Sequence, residues 1–281
     1  MNRELDWPVE RAAVAVVSAS EVETAFRGGV SGADQFEVAS VTKLMTTLAA
    51  LAAVESGRIG LDDPVPGANA GVTVRHLLAH AGGFPLEPPG KALAPERRRI
   101  YSNVGFRVLA EAVADAVGLS FVSWLATSVL DPLGMSATRL VRRHGVDDDP
   151  SFGAASTLDD LIRLASCLLE RGAPVIGPEL FAEATAVQFP GLAGVIPGIG
   201  RFDPCDWGLG FELHDGKRPH WMGDRRSPSA FGHFGATGCF LWVDPAVGLA
   251  AAAVTDRDFV DDKWAMATWP AWSDSLPAAG P

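Results

Sequence analysis

From Val38 to Val54 the chain is apolar on nearly every helical face. Leu44, Met45, Leu48, Ala49, Leu51, Ala52 and Val54 leave no polar side for solvent. Ala and Leu dominate, Gly and Pro are absent, and Glu55-Ser56-Gly57 supplies a stop, so the run predicts a buried helix. Upstream, Ala13–Val17 and Val22–Phe26 read as two strands joined by a short polar turn, a hairpin. Downstream, Phe240–Val243 reads as a buried strand, Asp244–Gly248 as a turn and Leu249–Val254 as the returning strand. Helical patterns fill the middle. A short one is capped at Thr73 and stopped by Gly82-Gly83. One opens at Ser102 or Asn103 and runs through Leu109, Val113 and Val117, and another spans Phe121–Leu130. Thr157 starts the next, with Asp160 at the capping-box position and Leu161, Leu164, Leu168 and Cys167 on its apolar side; Pro178–Val187 predicts one more. Residues 86–99, Pro-rich and then basic, predict a surface loop. Residues 190–230 predict loops and short strands around Trp207–Leu213.

Ser40 and Lys43 interrupt the apolar run. Three residues apart, they share one face of the first helical turn, where backbone N–H groups have no intrahelical partner. A serine hydroxyl becomes a nucleophile when a base takes its proton, and burial at the positive end of a helix lowers a lysine pKa enough for that role. The plainer alternative is a serine cap beside a lysine that reaches solvent, and S-x-x-K alone does not decide between them. Tyr101, the only tyrosine, precedes Ser102 and Asn103. It either packs beside a helix start or acts as an acid or base, with Lys43 the cation that would favour its phenolate. His233, Gly235 and Ala236 sit in a Gly-rich strand start, where small residues let a substrate approach a backbone N–H. His76 and His80 are four apart but lack a third ligand nearby, which favours a structural role over a metal.

Composition narrows the partners. At 281 residues and 48% hydrophobic the chain can bury a large core, as one large domain or two interleaved ones. A net charge of -11 argues against nucleic acid or an anionic membrane. Three cysteines without C-x-x-C spacing propose neither a disulfide framework nor a zinc site. Met1–Glu10 is polar with mixed charge, and Ala12–Val17 is too short for a signal segment, so a cytoplasmic location is expected.

In order along the chain stand Ser40-x-x-Lys43, Tyr101-x-Asn103 and His233-x-Gly235. With Thr73–His80 and Gly232–Pro245, they make the chain resemble the serine β-lactamase and D,D-peptidase superfamily, in its branch of class C β-lactamases, esterases and D-aminopeptidases. The resemblance covers most of residues 36–255. It implies an α/β fold of the α+β type: an antiparallel sheet from both chain ends (1–60 and 201–281) flanked by helices, with a mainly helical region (61–200) inserted. It implies Ser40 as nucleophile, Lys43 and Tyr101 sharing its proton, and Asn103 orienting Lys43 or the substrate amide. His233, Gly235 and Ala236 would hold substrate, and the Ser40 and Ala236 N–H groups would form an oxyanion hole. No metal or organic cofactor is needed.

One departure bears on substrate. Where relatives carry Lys-Thr-Gly to hold a carboxylate, this chain has His233-Phe234-Gly235, a weaker pH-dependent cation and no hydroxyl. The expectation is therefore a serine hydrolase acting on a small ester or amide, with little turnover of lactams. A β-lactamase or D,D-carboxypeptidase would need another carboxylate partner, such as Arg225 or Arg226. D-Aminopeptidase, acyltransferase and non-catalytic sensor readings stay open.

Overall fold

A computed structural model describes residues 5–142 and 145–278; the first four residues of the polar N-terminal stretch lie outside it. Its centre is a six-stranded antiparallel sheet in the order Val22–Arg27, Ala12–Ser18, Leu249–Thr255, Cys239–Asp244, Phe231–Gly235, Glu212–Leu213. The two chain ends meet in the middle, where Ala12↔Thr255 through Ser18↔Leu249 pair in continuous register. The expected hairpin and the Phe240–Val254 strand pair are both present, each longer by a residue or two.

Both faces of the sheet are covered, which explains why Leu249–Val254 is a continuous apolar run and not an alternating one. Ala250, Ala252 and Val254 face the helices Thr42–Glu55 and Leu158–Leu169; Leu249, Ala251 and Ala253 face Trp7, Trp264 and Trp269. The helix Leu158–Leu169 thus packs on the sheet although it arises within 61–200. Thr157 caps it through Asp160 N, but the Asp160 carboxylate turns away from the cap and accepts from Thr138 Oγ1 at 2.7 Å and Ala137 N at 3.0 Å.

Several local readings hold. Thr73 caps Val74–Leu78, Ser102 caps Asn103–Val117 through Gly105 N, and Cys167 lies in the core. Residues 86–98 form the expected surface loop; the last residue of the 86–99 stretch, Arg99, does not follow. Glu87 reaches the Asn103 side chain, and Arg99 is buried, its guanidinium donating to the carbonyls of Ala79, Gln188, Phe189 and Cys205. Four carbonyl acceptors satisfy a charge that composition assigns to the surface. Among the described residues no single helix is long and apolar enough to cross a membrane.

Candidate active site

Ser40 does not lie in the α-helix itself. It occupies a 3₁₀ turn, Ala39–Val41, leading into Thr42–Glu55. Ala39 holds a left-handed φ of 44°, a conformation that costs a residue with a Cβ roughly 1 kcal/mol or more. Ser40 caps nothing with its side chain. The turn is fixed by its neighbours: Thr42 Oγ1 donates to Ala39 O at 2.5 Å and accepts from Ala154 N at 3.0 Å, while Thr46 Oγ1 donates to Pro150 O at 2.6 Å. These bonds strap residues 150–154 along the start of the helix.

That strap supplies a partner for Lys43, which is fully buried. Its Nζ donates to Asn103 Oδ1 at 2.6 Å and to the Ser151 carbonyl at 2.8 Å, and stands 3.5 Å from Ser40 Oγ. Burial pushes the amine well below the ordinary lysine range, more strongly than Asp149 and Glu87 pull it back. A neutral amine has two N–H bonds and one lone pair. With both N–H bonds committed, the lone pair is left for the Ser40 hydroxyl.

The orientation of Asn103 is set from behind. Its amide N–H₂ donates to Glu87 Oε1 at 2.8 Å, so its oxygen faces Lys43. Glu87 is held by Arg107 at 2.6 and 2.9 Å, and Arg107 Nε donates to the buried Asp149 at 2.6 Å. Asp149 in turn accepts from the backbone N and the hydroxyl of Ser151, whose carbonyl receives Lys43. Glu87, Arg107, Asp149 and Ser151 carry no motif in the sequence; the fold assembles them from three separate segments.

Tyr101 places its ring centroid 4.6 Å from Lys43 Nζ. Its hydroxyl is sealed from solvent and makes no well-formed hydrogen bond. Burial raises the phenol pKa out of its ordinary range, against a smaller lowering by Ser40. Burial thus acts against the phenolate that a charged Lys43 would favour. His80 fixes Tyr101 from both sides. Its carbonyl accepts from Ile100 N at 3.0 Å, its Nδ1 accepts from Ser102 N at 3.2 Å, and its ring lies 4.7 Å from the Tyr101 ring. His76 instead closes the Thr73 cap and meets Glu96 at 3.1 Å.

His233 is not a cation. Its Nδ1 donates to the Phe234 carbonyl at 2.7 Å, and burial above all lowers its pKa to about 4. At neutral pH its Nε2 is a bare acceptor, buried without a partner. Gly235 brings the strand Phe231–Gly235 against the serine turn: a Cβ there would run into the Val38 carbonyl and the Ala39 methyl. Ala236 follows, exposed at the cleft, with its carbonyl accepting from Phe259 N at 2.8 Å. Arg225 and Arg226 are elsewhere, bonded to Asp274 and Leu276, with Arg226 stacked on Trp242; they do not serve the cleft.

Ser40, Asn103 and Ala236 stand where two lobes of the cleft meet. The inner lobe, about 250 Å³, is walled by Tyr101, Trp207, Phe234 and Phe259, with Glu212 and His233 among its polar residues. The outer lobe, about 480 Å³, carries Glu87, Arg107 and Phe152. A serine hydroxyl, a buried amine 3.5 Å from its oxygen, a phenol close by and a divided cleft are the parts that forming and resolving an acyl-enzyme would need. The family model described as Beta-lactamase matches residues 9–271. The chain belongs to that family. It is similar to a beta-lactamase from Mycobacterium bovis, at 46% identity over 96% of this chain and 94% of that one, with a TM-score of 0.88. The unliganded simvastatin synthase of Aspergillus terreus shares the fold at 16% identity, 95% and 94% coverage and a TM-score of 0.74. Penicillin-binding protein 4* of Bacillus subtilis is 32% identical over 39% of this chain, a match that spans 31% of that relative's length.

Proposed function

We propose that the chain is a serine hydrolase that cleaves small esters or amides through a covalent acyl-enzyme. Ser40 Oγ attacks the acyl carbon as its proton passes to Lys43 Nζ. The tetrahedral oxyanion is met by the Ser40 and Ala236 N–H groups. The C–O or C–N bond to the leaving group then breaks, and the departing atom takes a proton from the Lys43–Tyr101 pair. Water, deprotonated by Lys43, resolves the ester on Ser40 and frees the acid. The single observation that carries this reading is the geometry at Lys43: both N–H bonds spent on Asn103 and Ser151, the third direction 3.5 Å from Ser40 Oγ.

The substrate reading follows from charge. Among the described residues a ligand carboxylate finds no free cation in the cleft, since His233 is neutral and Arg107 is engaged by Glu87 and Asp149. Efficient hydrolysis of carboxylated β-lactams is therefore not expected. Turnover of p-nitrophenyl acetate tests the mechanism. Ser40→Ala should abolish it and Lys43→Ala should lower it by about 10²–10⁴, the usual worth of a general base. Activity that survives both substitutions would refute the assignment. Product analysis with added amines or alcohols separates hydrolysis from acyl transfer.

A further inference from the structure

We infer that the free edge of the central sheet, the strand Val22–Arg27, docks a second copy of this chain, the two strands pairing antiparallel about a two-fold axis at Thr24.

Val22–Arg27 is an end strand of the six-stranded sheet. Its pairing with Ala12–Ser18 decides which of its backbone groups are left. Ser18 N donates to Glu21 O at 2.9 Å, and that pair continues the register Ala12↔Arg27 through Val17↔Val22. Bonded and non-bonded pairs alternate in an antiparallel ladder, so Glu23, Ala25 and Arg27 spend their N–H and C=O groups on the inner strand. Val22, Thr24 and Phe26 turn theirs outward, where no backbone among the described residues receives them. The side chains of these three lie on the face where Ala13, Ala15 and Val17 enter the core, yet they are exposed, Val22 at 47% and Phe26 at 44%. Lys, Pro or a bulge is what keeps a sheet edge single, and this strand has none of them.

The strand is complementary to itself. A two-fold axis through the sheet sets residues of the same face opposite each other. Centred on Thr24, it places Thr24 against Thr24 of the second copy and Val22 against Phe26 of the second copy, in both directions. Each of these pairs exchanges two N–H···O bonds through groups already turned outward. The exposed side chains then cover one another, an aromatic on a β-branched residue. On the other face Glu21 meets Arg27 of the second copy, opposite in sign. Arg27 donates through Nε and Nη1 to Val9 O and Leu5 O, which leaves Nη2 for the carboxylate. Moving the axis back to Glu23 or Val22 sets glutamates against each other, and moving it on to Ala25 or Phe26 carries Val22 past the end of the strand. The strand Phe231–Gly235 lies toward the opposite end of the sheet, so both clefts stay open and the inference does not depend on the acyl-enzyme reading.

One strand pair buries less than a full-size interface, so the solution mass is read by light scattering at about 100 µM chain. The expected result is a dimer that Thr24→Lys separates by opposing two ammonium groups, and that Leu119→Lys, at a site 48% exposed outside the strand, leaves intact. Thr24→Pro should also separate it: the N–H it removes faces the free side, so the sheet keeps its ladder while the dimer loses its central bonds. Cysteine substitution reads the register, since the three native cysteines are buried. Thr24→Cys should cross-link under mild oxidation, its paired Cα atoms standing about 5.5 Å apart, whereas Val22→Cys, which faces Phe26 and not itself, should not. A wild type that is monomeric at this concentration overturns the inference. So does a dimer that survives both Thr24→Lys and Thr24→Pro, or a Val22→Cys that cross-links as fast as Thr24→Cys. Should the Lys and Pro variants fail to fold, the two cysteine variants decide.

Discussion

At Lys43 the chemistry depends on a proton that must be absent. The protonated amine has no lone pair, so acylation should fail at low pH and rise as pH climbs through an amine pKa held well below the lysine norm. Tyr101 is shifted upward, so no second loss should accompany the ordinary phenol ionisation near pH ~10. A kcat/KM profile for p-nitrophenyl acetate with one acid limb and a plateau beyond pH ~9 is expected; a bell that falls there would show a working phenolate. His80 acts one step back, through the amides on either side of Tyr101. Replacing it with Ala should cut kcat about 10–100-fold with little change in KM, and Asn, whose Oδ1 can still accept from Ser102 N, should restore most of the loss. Equal loss in both variants would confine His80 to packing.

Between elements, the site depends on how closely the strand Phe231–Gly235 approaches the serine turn. Gly235 allows that approach because it has no Cβ to meet the Val38 carbonyl. Gly235→Ala should force the strand outward and cost about 1–3 kcal/mol. The melting temperature should drop by a few degrees and acylation should fall more than tenfold, since Ala236 moves with the strand. Wild-type kinetics in that variant would separate strand position from catalysis. This dependence was legible in part. The order Ser40-x-x-Lys43, Tyr101-x-Asn103, His233-x-Gly235 named the elements that meet, and cap residues at Thr73, Ser102 and Thr157 located the helices. Local signals of that kind survive in a bare sequence because their partners lie three residues away.

Across the whole molecule, the sequence is silent on what the fold brings from afar. Ser151 serves Lys43 through a backbone carbonyl, which leaves no mark on residue type. Glu87 and Arg99 sit in a basic, Pro-rich run that reads as surface, and only long-range pairing takes Glu87 to Asn103 and buries Arg99. His233 looked like a pH-dependent cation until its burial and its bond to Phe234 O made it neutral. Such burial has a global consequence. His214 and His233 each have a folded pKa of about 4, below the unfolded value, so they contribute stability that is lost as pH falls from about 6.5 toward 4. By pH 5 the loss should approach about 2 kcal/mol per histidine, read as a melting temperature several degrees lower than at pH 7.5. A melting temperature flat across that range would contradict neutral, buried histidines.

The most direct measurement of the central claim is peptide-mapped mass spectrometry after a fluorophosphonate, on wild type, Ser40→Ala and Lys43→Ala. One adduct on the peptide containing Ser40, absent in Ser40→Ala and slow to form in Lys43→Ala, is the predicted result. No adduct, or an adduct on another residue that persists without Ser40, would contradict the account.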